Sequence, residues 1–175
     1  MSEERLTADE LMGLFSDLAT ELRARHIIGN VHLAGGAAMV LAYGSDLTTG
    51  DADALFEPDG PMIEAIHSVA AKRNLPRSWM NNQASVYFSR VAVPTMIIFD
   101  DPNLRVMVTP AEHLLAMKIL AARTVRDRDD ALKLMNHLGW TERESAVEAF
   151  ERYFPDEELD ANPRRKAFVD SLTGV

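Results

Sequence analysis

The fold of this chain is decided by residues 31–38, which read VHLAGGAA, and by residues 50–56, which read GDADALF. Residues 31–34 are largely apolar, which predicts a strand, and residues 37–43 predict a helix. The two glycines therefore lie at the turn between them. Residues 50–56 predict a second strand, so this part of the chain is a strand-turn-helix-loop-strand unit.

Four residues of this unit predict a site for phosphate and metal. Gly35 and Gly36 precede a helix start, where backbone N–H groups and the positive end of the helix dipole favour phosphate. Asp51 and Asp53 are two residues apart on a predicted strand, so both carboxylates are expected on one face. Such a pair suits Mg²⁺ or Mn²⁺ carrying a nucleoside triphosphate. Each feature alone is typical of an ordinary turn or loop, and only their combination indicates a nucleotide site.

Length and composition set the broad class of protein. The chain has 175 residues, of which 47% are apolar, and it contains no cysteine. That length suits one domain with a small helical extension. The absence of cysteine excludes disulfides and thiolate metal sites. No apolar run approaches a membrane span and the start does not resemble a leader, so a cytoplasmic location without a membrane partner is expected.

The charge balance bears on the partners. The formal net charge is -9, from 27 acidic and 18 basic residues, which disfavours broad binding to a nucleic-acid backbone. A local basic patch stays open as an alternative. The histidines show no ligand-like spacing, which disfavours a metal-dependent phosphohydrolase.

Capping boxes mark two helix starts. A threonine is followed three residues later by a glutamate at Thr7 and Glu10, and again at Thr109 and Glu112. In such a box each side chain accepts a hydrogen bond from the other residue's backbone N–H group. The boxes predict one helix that ends near residue 25 and another that ends near residue 123, and a further helix is predicted over 129–137.

Three later segments predict strands, because they are rich in β-branched and aromatic residues. They are residues 85–90, 95–99 and 104–108. The predicted class is α+β, with a small mixed sheet flanked by helices. Residues 1–110 are expected to form an α/β core, and residues 111–175 a helical part packed on it as one compact unit. The segment 79–83 is predicted either to line an acceptor cleft or to cover the sheet with Trp79.

Lys118 lies on or beside the apolar stripe of its predicted helix, where a lysine is costly unless a partner neutralises it. One interpretation extends its side chain to the surface, and the other brings it to a triphosphate or to the acidic pair Asp51 and Asp53. A charged connector with several aspartates follows. One is expected to cap the next helix, and Asp127 or Asp130 to pair with Lys118 or to orient a metal-bound water.

Taken together, three segments resemble the minimal nucleotidyltransferases related to the AbiEii and MenT toxins. They are LAGGAA at 33–38, TGDAD at 49–53, and LLAMKILAAR at 114–123 with RDRDD at 126–130. The resemblance covers roughly residues 31–138 and implies a nucleotidyltransferase-like fold with a helical C-terminal part. In that family a glycine turn and an Asp-x-Asp strand bind nucleotide and Mg²⁺, and a downstream lysine and aspartate complete the site.

The resemblance assigns roles residue by residue. The implied catalytic residues are Asp51, Asp53, Lys118, Asp127 and Asp130, the nucleotide-binding residues are Gly35, Gly36, Thr49 and Lys118, and the metal ligands are Asp51 and Asp53. The chain departs from the family pattern at Leu47, which stands where relatives often have arginine. A third carboxylate on a neighbouring strand is not evident, and the nearest candidates, Asp100 and Asp101, are typical of a turn.

Two classes of function follow. The first is a Mg²⁺-dependent nucleotidyltransferase that moves a nucleoside monophosphate from a nucleoside triphosphate to an RNA acceptor such as tRNA, or to a protein. For this class the resemblance implies a toxin–antitoxin or phage-defence setting, with a cognate antitoxin as a partner. The second is a catalytically degenerate binding module with the same fold, which Leu47 and the missing acid favour. Retention of Asp51 and Asp53 favours the enzyme, because an acidic pair without a metal is repulsive.

Overall fold

The structure is a computed structural model that describes residues 5–44, 48–91, 94–123 and 125–172. Leu47, at the expected arginine position, lies outside these residues. Contacts divide the chain into two compact units, one of Met1–Val86 with Thr95–Thr109 and one of Tyr87–Pro94 with Pro110–Val175. Among the described helices, none combines the length and the apolar content that crossing a membrane requires.

The described residues of the first unit form a five-stranded mixed sheet with helices, which confirms the predicted α+β class. The helices are α1 (Ala8–Ala24), α2 (Gly35–Ala42) and α3 (Asp59–Arg73). The strands are β1 (Gly29–Leu33), β2 (Ala52–Glu57), β3 (Met80–Asn81), β4 (Met96–Asp101) and β5 (Leu104–Val108). Their spatial order is β3-β2-β1-β5-β4. The β1–β2 and β4–β5 pairs are antiparallel, whereas β1–β5 and β2–β3 are parallel.

The core of the first unit lies on one face of this sheet. Strand residues on that face are fully buried and include Val31, Leu33, Ala52, Ala54 and Val106. The glycine at the start of β1 shares the face, and a side chain built there would meet Met62 of α3 and Leu22 of α1. Alternate residues of the same strands are half-buried on the opposite face, which is called the open face below.

The two predicted capping boxes have different outcomes. Thr7 and Glu10 form the full box at the start of α1, which confirms the first prediction. The second prediction is wrong, because the helix that follows Thr109 has Pro110 as its N-cap and no side-chain cap. The buried Thr109 hydroxyl donates instead to the Leu33 carbonyl oxygen at 2.6 Å. Because Thr109 follows β5 directly, its hydroxyl lies within hydrogen-bond distance of the end of β1, the strand that pairs with β5.

The predicted strand over 85–90 is wrong, whereas the other two predicted strands are confirmed as β4 and β5. Gln83–Tyr87 is a 3₁₀ helix. The Ser89 N–H donates to Nε2 of His113 at 2.9 Å, so a side chain bonds this backbone group. Trp79 is fully buried and donates its indole N–H to the Ile66 carbonyl oxygen at 3.1 Å. Of the two interpretations of segment 79–83, this favours the one in which Trp79 covers the sheet.

The described part of the second unit is helical and is built on an aromatic cluster. Its helices are α4 (Ala111–Ala121), α5 (Val125–Leu138), α6 (Arg143–Tyr153) and α7 (Pro163–Asp170). His113 of α4 stacks on Tyr153 of α6, with ring centroids 4.7 Å apart. The predicted start of α5 at residue 129 is wrong, because the helix begins four residues earlier and includes Asp127 in its first turn. An acidic first turn is favourable at a helix N-terminus.

Candidate functional site

Asp53 and Gly35 are in direct contact. The Ala34 N–H donates to the Asp53 carbonyl oxygen at 2.8 Å, which extends the β1–β2 pairing by one step. Gly35 follows with a φ of +56°, and a Cβ built on it would lie 2.7 Å from Oδ2 of Asp53. Only glycine combines this backbone angle with so close an approach. The carboxylate of Asp53 therefore lies against the first residue of α2.

The N-terminus of α2 adds an electrostatic feature. Its N-cap is Ala34, which makes no side-chain capping bond, and the helix begins with Gly35 and Gly36. The first N–H groups of a helix lack partners within the helix and carry its positive dipole end. This environment favours the Asp53 carboxylate and a phosphate group alike.

Asp51 lies one residue before β2, so the predicted strand starts slightly later than expected. The Thr49 hydroxyl donates to the Asp51 carbonyl oxygen at 2.9 Å, and the Thr49 backbone pairs with Leu6. Thr49 is only 2% exposed. The Thr49 hydroxyl therefore stabilises the backbone just before β2. A contact between Thr49 and nucleotide stays a prediction.

Asn81 is a site residue that the sequence analysis did not identify. Its Nδ2 donates to Oδ2 of Asp51 at 3.0 Å. Asn81 is the register partner of Asp53 in the parallel β2–β3 pair, and paired residues project to the same face. Asp53 and Asn81 therefore share the open face, and Asn81 is bonded to Asp51. A common face for the two aspartate side chains stays a prediction. A polar residue on a two-residue strand carries no pattern that sequence reading could use.

The pair Asp51 and Asp53 fits a magnesium ion that arrives with a nucleotide. Mg²⁺ prefers oxygen ligands and is commonly bound by one or two carboxylates together with substrate phosphates and water. Within the described ranges, no group of three or more histidine, cysteine or acidic side chains is placed to hold a metal. Water or substrate phosphates would therefore complete the coordination around a cation held by this pair.

Asp100 and Asp101 do not supply a third acid to this pair. Asp101 ends β4 and accepts from the Asn103 N–H at 2.9 Å, which makes the predicted turn. Asp100 is the register partner of Arg105 in β5, and Arg105 in turn lies opposite the first half of β1. Asp53, in contrast, lies beyond the C-terminal end of β1. Strand spacing and rise place the two sites more than about 15 Å apart.

The ion pair predicted for Lys118 is formed within the second unit. Lys118 is 8% exposed, and its Nζ donates to Oδ2 of Asp130 at 2.9 Å and to Oδ1 of Asp127 at 3.2 Å. Its side chain therefore does not extend to the surface. The chain turns at Ala122, with φ +43°, so the last turn of α4 meets the first turns of α5. Any contact of Lys118, Asp127 or Asp130 with nucleotide stays a prediction.

The open face also carries a small apolar hollow. His32, Leu55 and Met107 are register partners across β1, β2 and β5, and they line a hollow of about 240 Å³. Leu55 is two residues from Asp53 on the same face. Pockets for whole small-molecule ligands are usually larger, about 300–1,000 Å³, so this hollow suits part of a ligand.

His32 gives the first testable prediction. Burial lowers the pKa of His32 below its ordinary value of 6.5. The unfolded chain therefore binds this proton more readily, and stability is expected to fall as the pH drops from about 6.5 toward the folded-state pKa. His32→Gln should remove this part of the pH dependence. Urea unfolding of both proteins between pH 5 and pH 7.5 measures it, and equal pH slopes would contradict the prediction.

Comparisons with family models, with curated proteins and with solved structures found no match to this chain. The resemblance to minimal nucleotidyltransferases is thus carried by the quoted motifs alone. The case for a function depends on those motifs and on the geometry around Asp51 and Asp53.

Proposed function

We propose that the chain is a Mg²⁺-dependent nucleotidyltransferase that transfers a nucleoside monophosphate from a nucleoside triphosphate to an acceptor hydroxyl group. The observation that carries the proposal is the contact between the Asp53 carboxylate and Gly35 at the start of α2. It brings the acidic residues and the glycine turn of the motif into one site. The proposal also takes the sheet and its flanking helices as a nucleotidyltransferase-like fold.

Each group in the site has a proposed task. The backbone N–H groups at Gly35 and Gly36 bind phosphate oxygens, helped by the helix dipole. Asp51 and Asp53 bind the cation, which when present neutralises charge on the phosphates. The nucleoside lies along the open face, where the hollow at His32 and Leu55 suits a base or a sugar. The acceptor oxygen then bonds to the α-phosphorus while the bond from the α-phosphorus to the bridging oxygen of the β-phosphate breaks. The hydroxyl proton passes to water, and pyrophosphate leaves.

The acceptor is proposed as the end of an RNA such as tRNA, or a protein side chain. The net charge of -9 disfavours an extended nucleic-acid contact, so an RNA acceptor would be held mainly at its end. A toxin–antitoxin or phage-defence role, with a cognate antitoxin, follows from the resemblance and is proposed on that basis alone.

The test is transfer of label from α-labelled ATP, CTP, GTP and UTP, with Mg²⁺ or Mn²⁺, to total tRNA and to cell protein. We expect the wild-type protein to label one acceptor class, and Asp51→Asn/Asp53→Asn to lose about 1,000-fold, because metal stabilisation of a transition state contributes several kcal/mol. Asp100→Asn is the matched control. It removes one exposed acid that pairs only at the surface with Arg105, so its activity should equal that of the wild type.

Two results would contradict the proposal. Equal labelling by the wild type and Asp51→Asn/Asp53→Asn would show that these aspartates take no part in the reaction. Absence of label with all nucleotides and acceptors, from a folded protein that still binds nucleotide, would support the degenerate binding module. One observation favours that second candidate, namely that no third carboxylate joins the pair among the described residues.

A further inference from the structure

Asn81 is a strongly constrained polar residue near the candidate site. It is 9% exposed, although it lies on a strand of only two residues. Its Oδ1 accepts from the Gln83 N–H at 3.0 Å, and its Nδ2 donates to the Ser78 carbonyl oxygen at 3.3 Å and to Asp51 at 3.0 Å. An amide offers two donors and one acceptor oxygen, so nearly all of its capacity is used.

These bonds fix which end of the amide faces Asp51. The Gln83 N–H is a donor and can be satisfied only by the amide oxygen. The NH₂ group must then point the other way, toward Oδ2 of Asp51. Because the residue is buried and in register with Asp53, the amide cannot rotate without breaking several bonds.

We infer that Asn81 is a positioning residue for a divalent-cation site, and that its amide holds Oδ2 of Asp51 so that Asp51 and Asp53 serve one cation together. The inference rests on the proposed function only in taking this pair as the cation site. A hydrogen bond to Oδ2 restrains rotation of the Asp51 carboxylate and leaves Oδ1 outside that bond. Partners of this kind orient metal ligands, and their loss typically weakens metal binding about 10- to 100-fold.

An aspartate at position 81 would act in the opposite way. It would present a carboxylate oxygen to Oδ2 of Asp51, and two like charges at this distance repel in the absence of a cation. With a cation present, the same substitution would add a third acidic ligand. Asn81→Asp should therefore destabilise the metal-free protein and make its stability strongly dependent on metal.

The experiment titrates the full-length protein with Mn²⁺ alone and follows free Mn²⁺ by electron paramagnetic resonance. We expect Asn81→Ala to weaken Mn²⁺ binding about tenfold. Asn82→Ala is the matched control, since Asn82 is the adjacent, exposed asparagine, and it should bind as the wild type does. Thermal unfolding of Asn81→Asp should show a lower Tm than the wild type without metal, and a larger rise of Tm with Mn²⁺.

The outcomes separate this inference from the proposed transferase. Weakened Mn²⁺ binding in Asn81→Ala supports it even if no label transfer is found, because the titration needs neither nucleotide nor acceptor. Binding by Asn81→Ala within twofold of the wild type, or no Mn²⁺ binding by the wild type, overturns it. If Asn81→Ala does not fold, the Asn81→Asp variant decides the question. The inference is overturned if Mn²⁺ raises the Tm of Asn81→Asp no more than it raises the Tm of the wild type.

Discussion

Replacing Lys118 with methionine is expected to lower the free energy of unfolding by about 3–5 kcal/mol, which is the usual cost of breaking a buried ion pair. Lys118 and Asp130 are 8% and 6% exposed, and Asp127 pairs with the same ammonium group. Methionine preserves the length and apolar character of the stem but leaves two carboxylates without their cation. Urea unfolding followed by circular dichroism measures the change.

Lys166→Met is the matched control for this prediction. Lys166 is 56% exposed at its side chain and lies 4.0 Å from Asp160, so its replacement should cost less than about 1 kcal/mol. Asp130→Leu added to Lys118→Met should recover part of the loss, because one uncompensated charge is removed. A loss below about 1 kcal/mol in Lys118→Met would show that Lys118 does not neutralise the two aspartates in solution.

Replacing Gly35 with alanine is expected to reduce label transfer about 100-fold or more. The new Cβ would lie 2.7 Å from Oδ2 of Asp53, so the carboxylate would have to move away from the start of α2. A displacement of about 1 Å in a reacting site can cost 100-fold in rate. The positive φ adds a cost of about 1–2 kcal/mol in stability for any residue with a Cβ.

Gly44→Ala separates the two effects. Gly44 has φ +63°, and a Cβ built on it meets nothing within 4 Å. It should therefore show the stability cost without the loss of transfer. Transfer rates and urea unfolding of both variants measure the difference. Equal losses of transfer in Gly35→Ala and Gly44→Ala would contradict a specific role for the contact with Asp53.

The local part of the fold was predictable because neighbouring residues determine it. The glycine turn, the strand after Asp51 and the capping box at Thr7 and Glu10 each depend on contacts within a few residues. The pairing of Lys118 was predictable for a different reason. A lysine on an apolar stripe requires an opposite charge, and the following connector is rich in aspartate.

Two of the failed predictions concern competition from distant partners. Thr109 and Glu112 match a capping box, but β1 presents a carbonyl oxygen that takes the threonine hydroxyl. Residues 85–90 have strand-like composition, but the Ser89 backbone is bonded by the His113 side chain instead of another strand. Amino-acid composition indicates whether a segment is suited to a buried strand, but it does not indicate which group will form hydrogen bonds with that segment.

The residues of the candidate site also differ in whether the local sequence could predict them. Asp51 and Asp53 were predicted from their i, i+2 spacing on a strand, and Gly35 from its place just before a predicted helix. Asn81 was not found, because its importance comes from the parallel register of β2 and β3, and a two-residue strand has no periodicity. Asp100 and Asp101, the nearest candidates for a third acid, were interpreted as turn residues, and the sheet pairing places them far from Asp53.

Diffraction from crystals grown with Mn²⁺ and a non-hydrolysable nucleoside triphosphate would test the central claim most directly. Anomalous scattering should locate Mn²⁺ between the carboxylates of Asp51 and Asp53, at ligand distances near 2.2 Å, with the triphosphate at the N-terminus of α2. A nucleotide bound elsewhere, or Mn²⁺ that contacts neither carboxylate, would contradict the claim that these aspartates and the Gly35–Gly36 turn form one nucleotide site.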